Sequence, residues 1–191
     1  MVSDVAAAVE GLLGDDARAN ALLGAIVNDQ VKERIDAAAQ LGEVALASRT
    51  VANPDFPGAT VRTPVIVKLD GAKPDTEAAY LSECFGPVSF AVAVDSAADA
   101  VELLRRTVRE KGAMTVGAYT TSAEVERLVE EACLEECAQL SLNLTGGVYV
   151  NQTAAFSDFH GSGGNPAANA VLCDTAFVAG RFHTVEVRRQ A

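Results

Sequence analysis

The run Val88–Val94 constrains the fold most, because almost every residue in it is apolar. Strands covered on both faces show such near-continuous apolar runs, whereas strands with one solvated face alternate between polar and apolar residues. On either side of this run, helical and strand patterns alternate along the chain. The sequence therefore predicts an α/β fold: a three-layer αβα domain with a mostly parallel sheet.

Periodicity and turn residues predict the remaining elements. Helices are expected at 3–13, 27–41, 96–111, from about 121 to 139 and around 166–176. Strands are expected at 43–48, 65–69, 113–119, 147–151 and 183–189. The last of these strands alternates polar and apolar side chains, so it could pair beyond its own domain.

Length, charge and composition exclude several classes of protein. The 191 residues fit one domain, and the net charge of −11 without a Lys/Arg cluster argues against nucleic acid or an anionic membrane as partner. No apolar run approaches the roughly 20 residues that span a bilayer. The start Met1–Asp4 has no basic segment, so no signal peptide is expected. The interpretation is a cytoplasmic protein.

The cysteines and histidines predict neither disulfides nor a metal site. The four cysteines lack the spacing of a disulfide framework, so reduced thiols are expected. Neither His160 nor His183 is spaced with a second ligand as zinc sites require. Cys133 and Cys137 lie four residues apart, which would place both on one helix face as small core residues.

The hexapeptide Glu83-Cys84-Phe85-Gly86-Pro87-Val88 allows two interpretations. It can be a loop that enters a buried strand, with Glu83 solvated and Phe85 in the core. Alternatively, the carboxylate accepts hydrogen bonds from a ribose while the ring packs on a heterocycle. The second interpretation describes a site for a flat, hydroxylated ligand.

In this layout the chain resembles the C-terminal, substrate-binding half of the aldehyde dehydrogenase superfamily over nearly its whole length. The hexapeptide resembles that family's Glu-x-Phe-Gly-Pro signature. Arg62–Val65 lies where the family has a Pro-containing start of a strand, and Gly146–Asn151 resembles its Gly-x-Val-x-Val-Asn segment. Val185–Arg188 lies where the family has an oligomerisation strand. The resemblance implies a dehydrogenase-like domain over 1–182 and a terminal oligomerisation strand over 183–191.

One segment suggests a subfamily. Residues Phe156–Ala170 depart from the family's usual Phe-Gly-Gly-x-Lys-x-Ser-Gly and resemble the phenylacetate-degradation dehydrogenases, the ring-cleavage branch labelled PaaN or PaaZ. That resemblance implies a semialdehyde substrate, a ring-cleavage product linked to coenzyme A. Within the segment, His160–Pro166 has the composition of a phosphate-binding loop before a helix or of a plain flexible connection.

The resemblance also implies site residues and a cofactor. Glu83 would accept hydrogen bonds from the nicotinamide ribose of NAD or NADP, and Phe85 would pack near the nicotinamide ring. Phe156 falls at the aromatic wall of the aldehyde pocket, or it is a core residue under its loop. The implied partners are a small-molecule aldehyde, with a coenzyme A thioester as one form, and a second copy bound through Val185–Arg188.

The chain departs from the family in lacking its nucleophile. Members hold a catalytic cysteine upstream of the signature, but none of the 82 residues ahead of Glu83 is a cysteine. Cys84 is a poor substitute, because the adjacent carboxylate disfavours a thiolate. No catalytic residue is therefore assigned, and a truncated portion without dehydrogenase activity of its own is expected. The alternative is a stand-alone α/β module that binds a partner or assembles through its terminal strand.

Overall fold

The computed structural model describes residues 1–71, 74–82, 84–113, 115–145 and 185–190. The chain forms two compact units, Met1–Val94 and Asp95–Ala191. Both contain helices and parallel strand pairs. The predicted α/β class with parallel pairing is confirmed. None of the helices within the described ranges is long and apolar enough to cross a membrane.

The first unit contains four helices and five strands among its described residues. They are α1 (Val2–Leu13), α2 (Asp16–Leu22), α3 (Asp29–Ala38), β1 (Glu43–Leu46), β2 (Thr50–Val51), β3 (Val61–Arg62), β4 (Val65–Asp70), α4 (Pro74–Tyr80) and β5 (Val88–Ala93). Strand β4 pairs in parallel with β5 and antiparallel with β1, while β2 and β3 form a separate antiparallel pair.

The larger of the two buried clusters in the first unit lies between α3 and β4. Val31 and Ile35 of α3 are buried together with Val65, Val67 and Leu69 of β4. The spacing of four between the two helix residues places them on one face. Burying that face against apolar strand residues supplies most of the helix's stability, because a ten-residue helix is marginal by itself.

Helix α3 is shorter than the predicted 27–41. The side chain of Asn28 accepts a hydrogen bond from the backbone N–H of Val31 at 3.1 Å, which caps the helix. Val27 therefore lies outside the helix and is 77% exposed. The helix ends at Ala38, four residues before the expected stop at Gly42.

Strand β5 was expected to be covered on both faces, and this was wrong for the described chain. Val88, Phe90 and Val92 pack against the α3–β4 core, but each is only partly buried. Ser89 and Ala93 are exposed. The reason is the alternation of side chains: Val88, Phe90 and Val92 share the face that packs on the core, while Ser89 and Ala93 lie on the opposite face.

The second unit is built on a parallel sheet with β7 in the middle. Its elements are α5 (Ala97–Lys111), β6 (Thr115–Ala118), α6 (Ala123–Glu135), β7 (Gln139–Leu142) and β8 (Val187–Arg189). All four residues of β7 are buried. Leu140 and Leu142 pack against Val101 and Val108 of α5 and Val129 of α6.

The predicted helix to about Gln139 ends four residues early. Helix α6 stops at Glu135, and Cys137 turns the chain with a positive φ of 56°. Residues 139–142 then form the buried strand β7. Cys133 is buried as expected, but Cys137 is exposed and does not share its helix face. The helix starts after Ser122, whose hydroxyl accepts from Val125 N–H at 3.4 Å.

Several short elements had no prediction. These are α2, the β2–β3 pair and α4. Strands of two residues and helices of seven show too little periodicity to be recognised. The strand predicted at 147–151 and the helix predicted around 166–176 lie outside the described residues.

The terminal strand pairs within its own unit. Strand β8 lies parallel to β7, with Leu140 opposite Val187. The Gln139 side chain accepts from the backbone N–H of Glu186 at 2.7 Å, and Arg189 forms an ion pair with Glu130 of α6. Its predicted role in oligomerisation stays a prediction.

We expect Leu140→Ala to lower the free energy of unfolding of the second unit by about 2–5 kcal/mol, because it leaves a cavity beside Leu142. Leu140 is fully buried at 0% exposure. The matched control is Leu134→Ala, since Leu134 is 51% exposed. Urea unfolding followed by circular dichroism measures both variants, and equal losses would contradict the placement of β7 in the core.

Candidate functional site: the loop before strand β5

Residues 84–87 form a loop, here called the Phe85 loop, that leads into β5. Pro87 is tied to the start of β4, because its carbonyl accepts a hydrogen bond from Val65 N–H at 2.9 Å. The motif Arg62–Val65 therefore lies beside the Glu-x-Phe-Gly-Pro motif, although 20 or so residues separate them in sequence. Glu83 lies outside the described residues, and so does Phe156.

Gly86 allows the loop to rest directly on α3. Its φ is +149°, a backbone conformation that residues with a side chain rarely adopt. A Cβ atom at this position would also lie 3.0 Å from Cγ1 of Val31. Glycine is thus required at residue 86 both for the backbone angle and for the close approach to the helix.

Arg34 holds the loop from the same helix. Its Nη1 donates a hydrogen bond to the carbonyl oxygen of Phe85 at 3.1 Å, and its Nε donates to the carbonyl of Gln30 at 3.1 Å. The guanidinium group therefore joins α3 to a residue 51 positions later in the chain. No pattern near the hexapeptide could have revealed this contact, because it is created by tertiary packing alone.

The side chain of Phe85 is at the surface. It is 64% exposed, whereas the interpretation of the hexapeptide as a plain loop placed this ring in the core. That part of the interpretation was wrong, because Gly86 and Arg34 hold the backbone beside α3 while the ring stays at the surface. An exposed ring on a fixed backbone can pack on a flat ligand.

The three described cysteines differ in accessibility. Cys84 in the loop is half-buried, Cys137 is exposed and Cys133 is buried. Burial raises the pKa of the Cys133 thiol to about 11, with a smaller contribution from the charge of Glu130. Both histidines lie outside the described residues, so the interpretation of Cys84 as non-catalytic stays a prediction.

Metal ligands do not converge anywhere in the part of the chain that the structure describes. No group of three or more His, Cys, Asp or Glu side chains is placed to hold an ion there. Around the Phe85 loop the structure describes an exposed ring, together with backbone amides and carbonyls on a supported turn.

Comparison with known proteins gives one informative match. The chain is 49% identical to the crystal structure of an NAD-dependent aldehyde dehydrogenase from Burkholderia multivorans, with a TM-score of 0.80. The resemblance to the aldehyde dehydrogenase superfamily is confirmed. The match covers 94% of this chain but only 32% of the Burkholderia protein. No protein-family model and no curated protein matches the chain.

We expect Gly86→Ala to destabilise the first unit by about 1–3 kcal/mol, because alanine cannot relieve both the positive φ and the contact with Val31. Gly58→Ala is the matched control: a Cβ at Gly58 would meet nothing within 4 Å. Thermal unfolding of both variants measures the difference. A Gly86→Ala protein as stable as the control would contradict the described loop geometry.

The raised pKa of Cys133 predicts a pH dependence of stability. Between pH 9.0 and about 11 the thiol ionises in the unfolded chain but stays neutral when folded, so stability falls across that window. Wild type should lose roughly 2–3 kcal/mol more than Cys133→Ala over this range. Urea titrations at pH 8 and pH 11 test this. Parallel losses in the two proteins would show that Cys133 is not buried.

Proposed function

We propose that this chain is the substrate-side part of an NAD(P)-dependent aldehyde dehydrogenase. The observation that carries the proposal is the exposed Phe85 ring, on a loop fixed by Gly86 and Arg34, within a family signature. The 49% identity to an NAD-dependent aldehyde dehydrogenase over 94% of the chain supports it. The chain corresponds to about a third of that protein, and the proposal assigns turnover to the whole enzyme.

In this proposal Glu83 and Phe85 form one side of a cofactor site. NAD or NADP, when bound, supplies the hydride acceptor for aldehyde oxidation. Phe85 limits movement of the nicotinamide ring, and the Glu83 carboxylate accepts hydrogen bonds from the ribose hydroxyls.

The substrate in this proposal is a semialdehyde of aromatic-acid catabolism, such as a coenzyme A-linked ring-cleavage product. The resemblance of Phe156–Ala170 to the phenylacetate-degradation dehydrogenases supports this choice. Phe156 is proposed as an aromatic wall for the substrate chain. The enzyme is proposed to be cytoplasmic, in keeping with the free thiols of Cys84, Cys133 and Cys137.

Self-association through Val185–Arg188 is proposed as well. Strand β8 forms one edge of the described β6–β7–β8 sheet, and sheet edges offer backbone groups to a second strand. Sedimentation of wild type and of Val187→Pro tests this, because proline removes a backbone donor from the strand. A dimer that persists unchanged in a folded variant would contradict this interface.

The isolated chain should not reduce NAD or NADP in the presence of semialdehydes, since no cysteine precedes Glu83 to act as nucleophile. Absorbance of the reduced cofactor at saturating aldehyde measures this. Turnover by the pure chain would refute the assignment of catalysis to residues outside it.

Binding of the nicotinamide moiety can be tested without turnover. Nicotinamide mononucleotide is the probe, and saturation-transfer NMR reports its contacts with the chain. We expect Phe85→Ala to weaken the signal of the nicotinamide ring protons about fivefold, the loss of one ring contact. Phe56→Ala is the control, because Phe56 is similarly exposed at 69% but lies on another loop. Equal signals from both variants would remove Phe85 from the site.

A further inference from the structure

We infer that Arg34 is a positioning residue for cofactor binding: it fixes the backbone at Phe85 so that the ring is presented to the nicotinamide. The inference rests on the proposed function for the identity of the ligand. It rests on the structure for the contact, in which Nη1 of Arg34 lies 3.1 Å from the Phe85 carbonyl oxygen. Nothing in the family signature itself includes this arginine.

The geometry favours positioning over simple surface solvation. Nε of Arg34 is held by the Gln30 carbonyl one turn back along α3, at 3.1 Å, while Nη1 reaches the loop. An arginine offers these donors in a fixed planar arrangement, so satisfying one acceptor orients the group toward the other. The hydrogen bond to Gln30 therefore orients the Arg34 side chain from α3 toward the Phe85 loop.

The two supports of the loop act on different atoms. Gly86 lets the loop backbone approach Val31 closely, which determines its distance from α3. A hydrogen bond to the Phe85 carbonyl opposes rotation of the Phe85–Gly86 peptide plane, which contains that carbonyl, and so restricts the backbone at the residue that carries the ring. Loss of Arg34 should therefore leave the loop near the helix but let the ring change direction.

Loop order can be measured on the chain through Cys84, the neighbour of Phe85. Alkylation with iodoacetamide followed by peptide mass spectrometry separates Cys84 from Cys133 and Cys137. In Arg34→Gln, Cys84 should react about three to ten times faster than in wild type, the effect of losing one hydrogen bond from the closed loop. Lys32→Gln is the matched control: Lys32 is an exposed cation on the same helix, so its loss changes the charge equally.

The cofactor arm uses nicotinamide mononucleotide and saturation-transfer NMR. With Arg34→Gln the signal of the nicotinamide ring protons should be about threefold weaker than with wild type, while the melting temperature stays unchanged. Arg34→Lys, which keeps the charge and one donor, should recover part of it. A merely structural arginine would change the melting temperature and not the ring signal.

The outcomes separate the two proposals. Unchanged Cys84 reactivity in Arg34→Gln would overturn the role of Arg34, whatever the ligand does. A faster reaction of Cys84 with an unaltered ring signal would also overturn it, because the held loop would not serve binding. Absence of any transfer to wild type would overturn the cofactor site, and the cofactor role of Arg34 with it. If Arg34→Gln did not fold, Arg34→Lys would supply the same comparisons.

Discussion

The candidate site depends on one packing interaction in the first unit, the burial of the Val31–Ile35 face of α3 against β4. Val65 and Val67 are almost completely buried in this contact. Burial of this kind contributes roughly 25 cal/mol per Å² of apolar surface, and it places the helix at a definite distance from the sheet. Because β4 and β5 pair in parallel, the turn that enters β5 must pass close to the same helix. The candidate site is a consequence of that geometry.

Three residues therefore support the site through three different physical effects. Val31 contributes packing, Arg34 a charged donor and Gly86 the absence of a side chain. A loop carried on rigid elements holds its functional groups more accurately than one supported only by solvent. The Phe85 ring is exposed, while the backbone that carries it is held in place. Exposed aromatic rings on supported backbone are typical of binding sites.

Much of the fold could be predicted from local patterns, and the failures have physical reasons. The strand at 65–69 and the helix at 96–111 were recognised because their periodicity extends over whole elements. Strand β7 was missed because it has only four residues and begins four positions after the end of α6, which is too short a run to show its own periodicity. The prediction that Cys137 lies on the helix face was wrong as well. Its positive φ separates the helix from the strand, and a cysteine in the sequence does not indicate such a backbone angle.

For the candidate site, the sequence by itself determined the hexapeptide, its family resemblance and the lack of a cysteine ahead of Glu83. These are properties of residue order, which no folding can alter. Only the tertiary structure decided that the Phe85 ring is exposed and that Arg34 reaches its carbonyl across 51 residues. Exposure and long-range hydrogen bonds depend on where distant segments meet. The burial of α3 on β4 brings Arg34 close to the Phe85 loop. The residues around Phe85 alone do not indicate this contact.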